Sequence, residues 1–159
     1  MVRPLRGASP RVEAARALQS LRIARVRLAR LVRRLESVAS RDRSVRGMLE
    51  LLYKLDYLIE LASLKLEVYV ATGLATYETL EAALAALRLA SDWSREAPPE
   101  LASLVLDAEE SAMRVAGALG VPAPPNPAGG QPEPVSEDLK EIIEEASRVA
   151  RSRLESLPG

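Results

Sequence analysis

The chain contains no cysteine, no histidine and no phenylalanine, and only 3% of its 159 residues are aromatic. Without cysteine it has neither disulfides nor thiolate nucleophiles, and the commonest zinc ligands are missing as well. Without histidine it lacks the side chain best suited to proton transfer near neutral pH. Carboxylates remain, but none is placed to face inward from an apolar stripe, as an acid/base pair or metal site would need. We therefore expect a protein that is not an enzyme and that has no cofactor and no metal.

Long apolar runs are missing too. No stretch offers the roughly 18 uninterrupted apolar residues of a membrane span, and none has the pattern of a signal peptide. The length suits one helical domain plus an appendage. We expect a cytoplasmic protein.

The charge is zero overall but unevenly distributed. Residues 1–46 hold thirteen arginines and three acids, whereas residues 47–159 hold nine basic and nineteen acidic residues. A basic segment of this kind can bind phosphate, anionic lipid or an acidic protein segment, including the rest of the same chain. A solvated helix face is the simpler alternative. The predicted anion-binding residues are Arg3, Arg6, Arg11, Arg16, Arg22, Arg25, Arg27, Arg30, Arg33 and Arg34.

Apolar residues at helical spacing predict an all-α fold. In the first helix Ala14, Leu21, Leu28 and Leu35 repeat every seven residues, and the arginines lie off this seam. The stripe of the second helix is wider, so that helix needs more than one neighbour. Short connections between the first four helices suit a bundle. The predicted helices span about residues 10–40, 45–72, 77–94, 99–119 and 137–156. Ser9, before Pro10, and Thr76 are predicted to cap helix starts, and Gly73 and Gly120 to end helices.

The last helix follows a segment, 121–135, with six prolines and two glycines, which predicts an extended linker. Ser136 can cap this helix. Because an isolated helix of this length is marginal in water, its apolar face needs either its own bundle or a partner. The predicted contact residues are Leu139, Ile142, Ile143, Val149, Arg153, Leu154 and Leu157.

The order of these features resembles the archaeal ESCRT-III-like cell-division proteins of the CdvB type. The similar segments are RRLESVASRDRS, LIELASLKLEVYVATGLATYETLEAALAALRLA, PPELASLVLDAEESAMRVAGALG and SEDLKEIIEEASRVARSRL. The resemblance divides the chain into a flexible basic arm (1–9), an ESCRT-III-like core (10–120), the linker (121–135) and a C-terminal regulatory helix (136–157). The implied architecture is a helical hairpin or bundle of four helices with a detached last helix.

This resemblance implies a non-enzymatic subunit of membrane-associated filaments that remodel or sever membranes, in cell division or vesicle release. Its implied partners are further copies and paralogues, an anionic membrane at the inner face or division site, and an AAA ATPase with a microtubule-interacting-and-trafficking (MIT) domain. The last helix folds back to autoinhibit the family's members. One ATPase-binding motif reads Leu-x-x-Arg-Leu-x-x-Leu; Arg153, Leu154 and Leu157 match it, and Ala150 replaces its first leucine.

Two features depart from the family pattern. The second helix is shorter than usual, and neither the Pro-rich motif nor the winged-helix domain of larger archaeal members follows the last helix. A second function therefore stays open, that of a soluble adaptor or regulator whose last helix binds protein partners. Nucleic acid is not favoured, because no aromatic platform or recognised DNA-binding motif accompanies the charge.

Overall fold

The computed structural model describes residues 9–121 and 137–157. The predicted basic arm with Arg3 and Arg6, nearly all of the predicted linker, and the Ser136 cap lie outside the described residues.

The described residues form five α-helices, joined by short turns up to residue 121, which confirms the all-α prediction. A 3-10 turn, Ser94–Glu96, separates the third helix from the fourth. The predicted helix positions agree closely with the observed ones. These are α1 (Pro10–Val38), α2 (Val45–Thr72), α3 (Tyr77–Trp93), α4 (Pro99–Leu119) and α5 (Glu137–Glu155).

Helices α1 to α4 pack around one hydrophobic core. Helix α1 contacts α2 and α4, and α3 contacts the same two helices from the other side. Helices α1 and α2 run antiparallel: Arg11 at the start of α1 donates to the Val70 carbonyl oxygen near the end of α2, and Tyr53 in the first half of α2 donates to Glu36 near the end of α1. Helix α2 also contacts α5, so its wide apolar stripe is covered by three helices, as expected.

The buried stripe of α1 is wider than the predicted seam. Ala14, Leu21 and Leu28 are buried as expected, but so are Leu18 and Val32, which lie off the seven-residue repeat. A heptad seam serves one partner, whereas α1 packs against both α2 and α4 and so buries a broader face.

Helix α5 is not detached in the structure. It packs mainly on α2, with Ile142, Ala146 and Ala150 buried in the contact. Arg46, at the start of α2, donates to the Leu154 carbonyl oxygen at 3.2 Å, so the two helices run antiparallel. Of the two possible partners for the apolar face of α5, the structure therefore shows its own core.

The helix ends follow the predicted capping residues. The Ser9 hydroxyl accepts from the backbone N–H of Val12 at 3.2 Å, and the Thr76 hydroxyl accepts from that of Thr79 at 3.0 Å. Each satisfies a backbone donor that the first turn leaves unpaired. Helix α4 ends at Gly120, whose φ of 77° is left-handed.

Two glycine-to-alanine substitutions, one in α2 and one at its C-cap, are expected to change the free energy of unfolding in opposite directions. Gly73 ends α2 with a φ of 73°, and a Cβ there would lie 3.2 Å from Arg11 Nη1. Gly73→Ala should therefore destabilise the chain by about 1 kcal/mol. Gly47 lies within α2 with nothing within 4 Å of an added Cβ, so Gly47→Ala should stabilise by about 0.5–1 kcal/mol. Urea unfolding of both variants checks this; shifts of the same sign would contradict it.

Candidate functional site

Two carboxylates are buried, contrary to the expectation that none faces inward. Glu13 lies 3.1 Å from Arg16 and 3.1 Å from Arg114, and thereby joins α1 to α4. Glu109 lies 2.7 Å from Arg88, between α4 and α3. Each tolerates burial because an arginine compensates its charge. The described residues contain no group of three or more acids placed to hold a metal ion.

A cavity of about 290 Å³ lies between α3, the 3-10 turn and α4. Its ionisable side chains pair with each other: Arg88 with Glu109 at 2.7 Å, and Arg95 with Asp92 at 3.7 Å. The positive and negative charges of these two pairs balance, so the cavity offers a charged ligand no net attraction.

Five of the predicted anion-binding arginines are used inside the chain. Arg25 lies 3.4 Å from Asp56 and 3.5 Å from Glu60. The acids of α2 and α4 thus neutralise three arginines in the middle of α1, whereas the two nearer its start pair within α1 or with carbonyl oxygens. The other contacts are Arg16–Glu13 (3.1 Å), Arg22–Glu67 (3.9 Å), Arg27–Glu100 (3.1 Å), and Arg11 with the carbonyl oxygens of Val70 (2.8 Å) and Ala71 (3.3 Å).

The arginines at the other end of α1 have no partner among the described residues. Arg30, Arg33 and Arg34 are exposed, and so are Arg41 and Arg43 in the turn before α2. Their guanidinium groups make no hydrogen bond or ion pair with any other described residue. We call these five residues the free arginine cluster.

The positions of the nearby acids explain why this cluster pairs with no other described residue. The first turn of α2, which follows the cluster, contains no acidic residue. Glu36 accepts a hydrogen bond from the Tyr53 hydroxyl at 2.5 Å. Asp42 accepts from the side-chain hydroxyl and backbone N–H of Ser44, which lowers the pKa of its carboxyl group. The arginines therefore outnumber the acids here, and the acids have other partners.

A second site joins α5 to α1 and α2. The Arg153 guanidinium lies 4.0 Å from the centre of the buried Tyr53 ring, and its Nη1 lies 3.2 Å from Asp56. Asp56 also pairs with Arg25 of α1, while the Tyr53 hydroxyl donates to Glu36. We call Glu36, Tyr53, Asp56 and Arg153 the Tyr53 network. The sequence predicted Arg153 as a contact residue, and Tyr53 was not among the predicted site residues.

The remaining predicted residues of α5 mostly face the core. Ile142 is buried, and Val149 is half-buried. Among the ion pairs of the described residues, none joins an acid of α5 to an arginine of α1. The free arginine cluster therefore stays exposed while α5 is docked. The other predicted contact residues, partly buried against the core, are Leu139, Ile143, Leu154 and Leu157.

Tyr53 should make the chain sensitive to alkaline pH. Burial, and then the hydrogen bond to Glu36, raise the pKa of Tyr53 well above its ordinary value. In the unfolded chain it ionises near pH 10, so its contribution to stability is full below about pH 10 and is lost as the pH rises further. Melting temperatures between pH 8 and 11 should fall at the alkaline end. Tyr53→Phe should show a smaller fall; an equal fall would contradict this assignment.

Compared with protein-family models, with curated proteins and with solved structures, the chain has no match. Among the described helices, none combines the length and the apolar composition of a transmembrane span. The fold and the sites define an all-α protein with a docked C-terminal helix and a basic surface that pairs with no other described residue. The resemblance to ESCRT-III-like proteins rests on its sequence segments and stays a prediction.

Proposed function

We propose that this chain is a non-enzymatic, ESCRT-III-like subunit of membrane-associated filaments that remodel or sever membranes. The observation that carries the proposal is the free arginine cluster. Its five guanidinium groups face solvent at one end of α1 and the turn that follows, beyond the acids that neutralise the other end. An anionic bilayer attracts each arginine near its surface by about 1 kcal/mol. The proposed location is the cytoplasmic face of a membrane or division site.

A bilayer suits this cluster better than single-stranded nucleic acid does. Binding of single strands commonly adds aromatic stacking to charge. Tyr77, the exposed tyrosine among the described residues, follows the C-terminal end of α2. The free arginine cluster precedes the N-terminal end of that helix, which is about 40 Å long. No stacking platform therefore accompanies the charge.

The proposed autoinhibitory role of α5 is supported by the residues that this helix covers. Docked α5 packs its apolar face and Arg153 against α2, over the buried Tyr53. Release of α5 would expose both apolar faces together, and such faces can pair with another copy or a paralogue. Arg153 and Leu154 of the partial ATPase motif lie in the docked contact. A MIT-type domain would therefore reach them only after α5 leaves.

The filament part of the proposal rests on the resemblance alone. The alternative, a soluble adaptor that uses its last helix, has less support, because α2 already occupies the apolar face of that helix.

Electron microscopy of the full chain on phosphatidylserine-containing vesicles tests the proposal. The matched sample is Ala146→Asp, which introduces a charge into the contact between α2 and α5. We expect both proteins to coat the vesicles, and filaments or vesicle deformation only with the variant. If neither protein associates with vesicles, the proposal is wrong and the adaptor function takes its place. If the variant coats vesicles without assembling, only the filament part is wrong.

A further inference from the structure

The cavity between α3, the 3-10 turn and α4 is lined by polar groups whose hydrogen-bonding capacity the described residues do not use. Glu109 is only 8% exposed, yet its carboxylate accepts no hydrogen bond from any described residue. Arg88 Nε lies 2.7 Å from Glu109 Oε2, but its N–H does not point at that oxygen, so the contact is an ion pair without a hydrogen bond. Ser91 Oγ, one turn further along α3, is buried and has no hydrogen-bond partner among the described residues either. All three residues line the cavity.

These three polar groups indicate what a ligand of the cavity must carry. Buried polar groups of folded proteins nearly always have hydrogen-bond partners, and an exception requires an explanation. Arg88 Nε is a donor, the Glu109 carboxylate is an acceptor, and the Ser91 hydroxyl is both. A ligand that satisfies all of them therefore carries donor and acceptor groups close together. The cavity volume, about 290 Å³, lies at the lower end of the range for small-molecule sites, roughly 300–1,000 Å³, so the ligand is small.

The charges around the cavity select a ligand without net charge. Arg88 faces Glu109, and at the rim Arg95 pairs with Asp92 at 3.7 Å. A phosphate group would therefore meet the two carboxylates as well as the arginines, and a metal ion would meet the two guanidinium groups as well as the acids. A zwitterion brings its carboxylate to an arginine and its ammonium group to an acid, so that both of its charges are compensated.

Helix α4 adds an apolar wall beside Glu109. Ala102 and Leu106 line the same cavity. Positions 102, 106 and 109 lie on one face of α4, because residues three or four apart are neighbours on a helix surface. Leu106 is 48% exposed and so offers apolar surface to a ligand. A zwitterion that carries a short aliphatic group would cover this surface.

We infer that this cavity binds a free aliphatic α-amino acid. The Glu109 carboxylate binds its ammonium group, Arg88 and the Ser91 hydroxyl bind its carboxylate, and Leu106 contacts its side chain. Hydrogen bonds between charged groups are stronger than those between neutral ones, and the two charged groups of an amino acid are attached to one carbon atom. The inference goes beyond the proposed function and does not depend on it, because neither the free arginine cluster nor a membrane takes part.

A titration of the full chain with L-leucine, followed by nuclear magnetic resonance of the backbone amides, tests the inference without vesicles. Two analogues each lack one charge: 4-methylpentanoate has no ammonium group, and L-leucinamide has no carboxylate. We expect L-leucine to bind with a Kd of about 1 mM or lower and to shift amides of α3, the 3-10 turn and α4. Each analogue should bind about tenfold more weakly or worse, because it leaves one buried group unpaired. If L-leucine does not bind, or if both analogues bind as well as L-leucine, the inference is overturned.

Replacing Glu109 by glutamine should reverse the preference among these ligands. Glu109→Gln removes the partner of the ammonium group and leaves the cavity with a net positive charge. We therefore expect the variant to bind 4-methylpentanoate more tightly than L-leucine. A residue with a structural role alone would weaken the binding of all ligands equally, and that result would contradict the assignment. Circular dichroism checks that the variant is folded.

A second variant keeps the test valid if Glu109→Gln does not fold. Leu106→Ala removes apolar surface from the cavity, and Leu119→Ala is the matched control, since Leu119 is 44% exposed at the end of the same helix and does not line the cavity. Leu106→Ala should weaken the binding of L-leucine about fivefold or more, because apolar contact is lost, whereas Leu119→Ala should leave it unchanged. Equal binding by both variants would overturn the inference.

Discussion

Replacing Arg30, Arg33 and Arg34 together by glutamine is expected to weaken binding to phosphatidylserine-containing vesicles by about 100-fold at about 0.1 M salt. Each arginine near an anionic surface contributes about 1 kcal/mol, and a factor of ten corresponds to 1.4 kcal/mol. The three side chains are exposed and pair with no other described residue. Their replacement therefore breaks no described internal ion pair and should leave the fold intact. Quantitative co-sedimentation measures the effect.

A matched variant distinguishes binding through the free arginine cluster from attraction by the net charge of the chain. Arg95→Gln, Arg148→Gln and Arg151→Gln combined remove the same charge from exposed positions in the 3-10 turn and α5. This variant should bind within a few-fold of the native chain, because screening limits the reach of surface charges to about 10 Å at 0.1 M salt. Equal weakening in both variants would show that net charge alone attracts the chain, and would remove the free arginine cluster as the site.

Ala146→Asp is expected to release α5 while leaving α1 to α4 folded. Ala146 is fully buried, and an unpaired carboxylate in such an environment costs several kcal/mol. A released helix of this length is marginally stable in water. Hydrogen exchange should therefore show loss of amide protection across α5, with protection of α1 to α4 retained.

The control for this variant adds the same charge to an exposed position of α5. Ser152→Asp lies near the end of the helix and faces solvent. It should keep α5 protected, apart from a small loss due to the helix dipole. If Ala146→Asp also keeps α5 protected, the docking of α5 is tighter than we propose. If all helices lose protection together, α5 is part of one cooperative unit and cannot act as a separate closing element.

Local patterns were sufficient to predict the helices. Pro10, Ser9 and Thr76 mark helix starts, and Gly73 and Gly120 mark helix ends, because caps depend on backbone geometry within one turn. The structure confirms all of them.

Which arginines are free could not be predicted in the same way. Arg27 pairs with Glu100, seventy-three positions away, whereas Arg30 pairs with no described residue. The sequence pattern of α1 is the same around Arg27 and Arg30. They differ in which acids the neighbouring helices bring close to them. The burial of Glu13 has the same origin, because its partner Arg114 belongs to α4.

The position of α5 could not be predicted from the sequence either, because it depends on tertiary contacts. Its apolar face predicts that something must cover it, but the sequence pattern is the same for an internal and an external partner. Tyr53 and Asp56 lie about a hundred residues from Arg153 in the chain, and only the folded arrangement brings them together.

Co-sedimentation of the full native chain with two kinds of vesicle tests the central claim most directly. One kind contains only phosphatidylcholine, and the other contains phosphatidylserine as well. We predict that the chain pellets only with the second kind, that moderate salt weakens this binding, and that hydrogen exchange finds α5 still protected on the vesicles. Failure to pellet with phosphatidylserine at low salt would contradict the proposed membrane attachment.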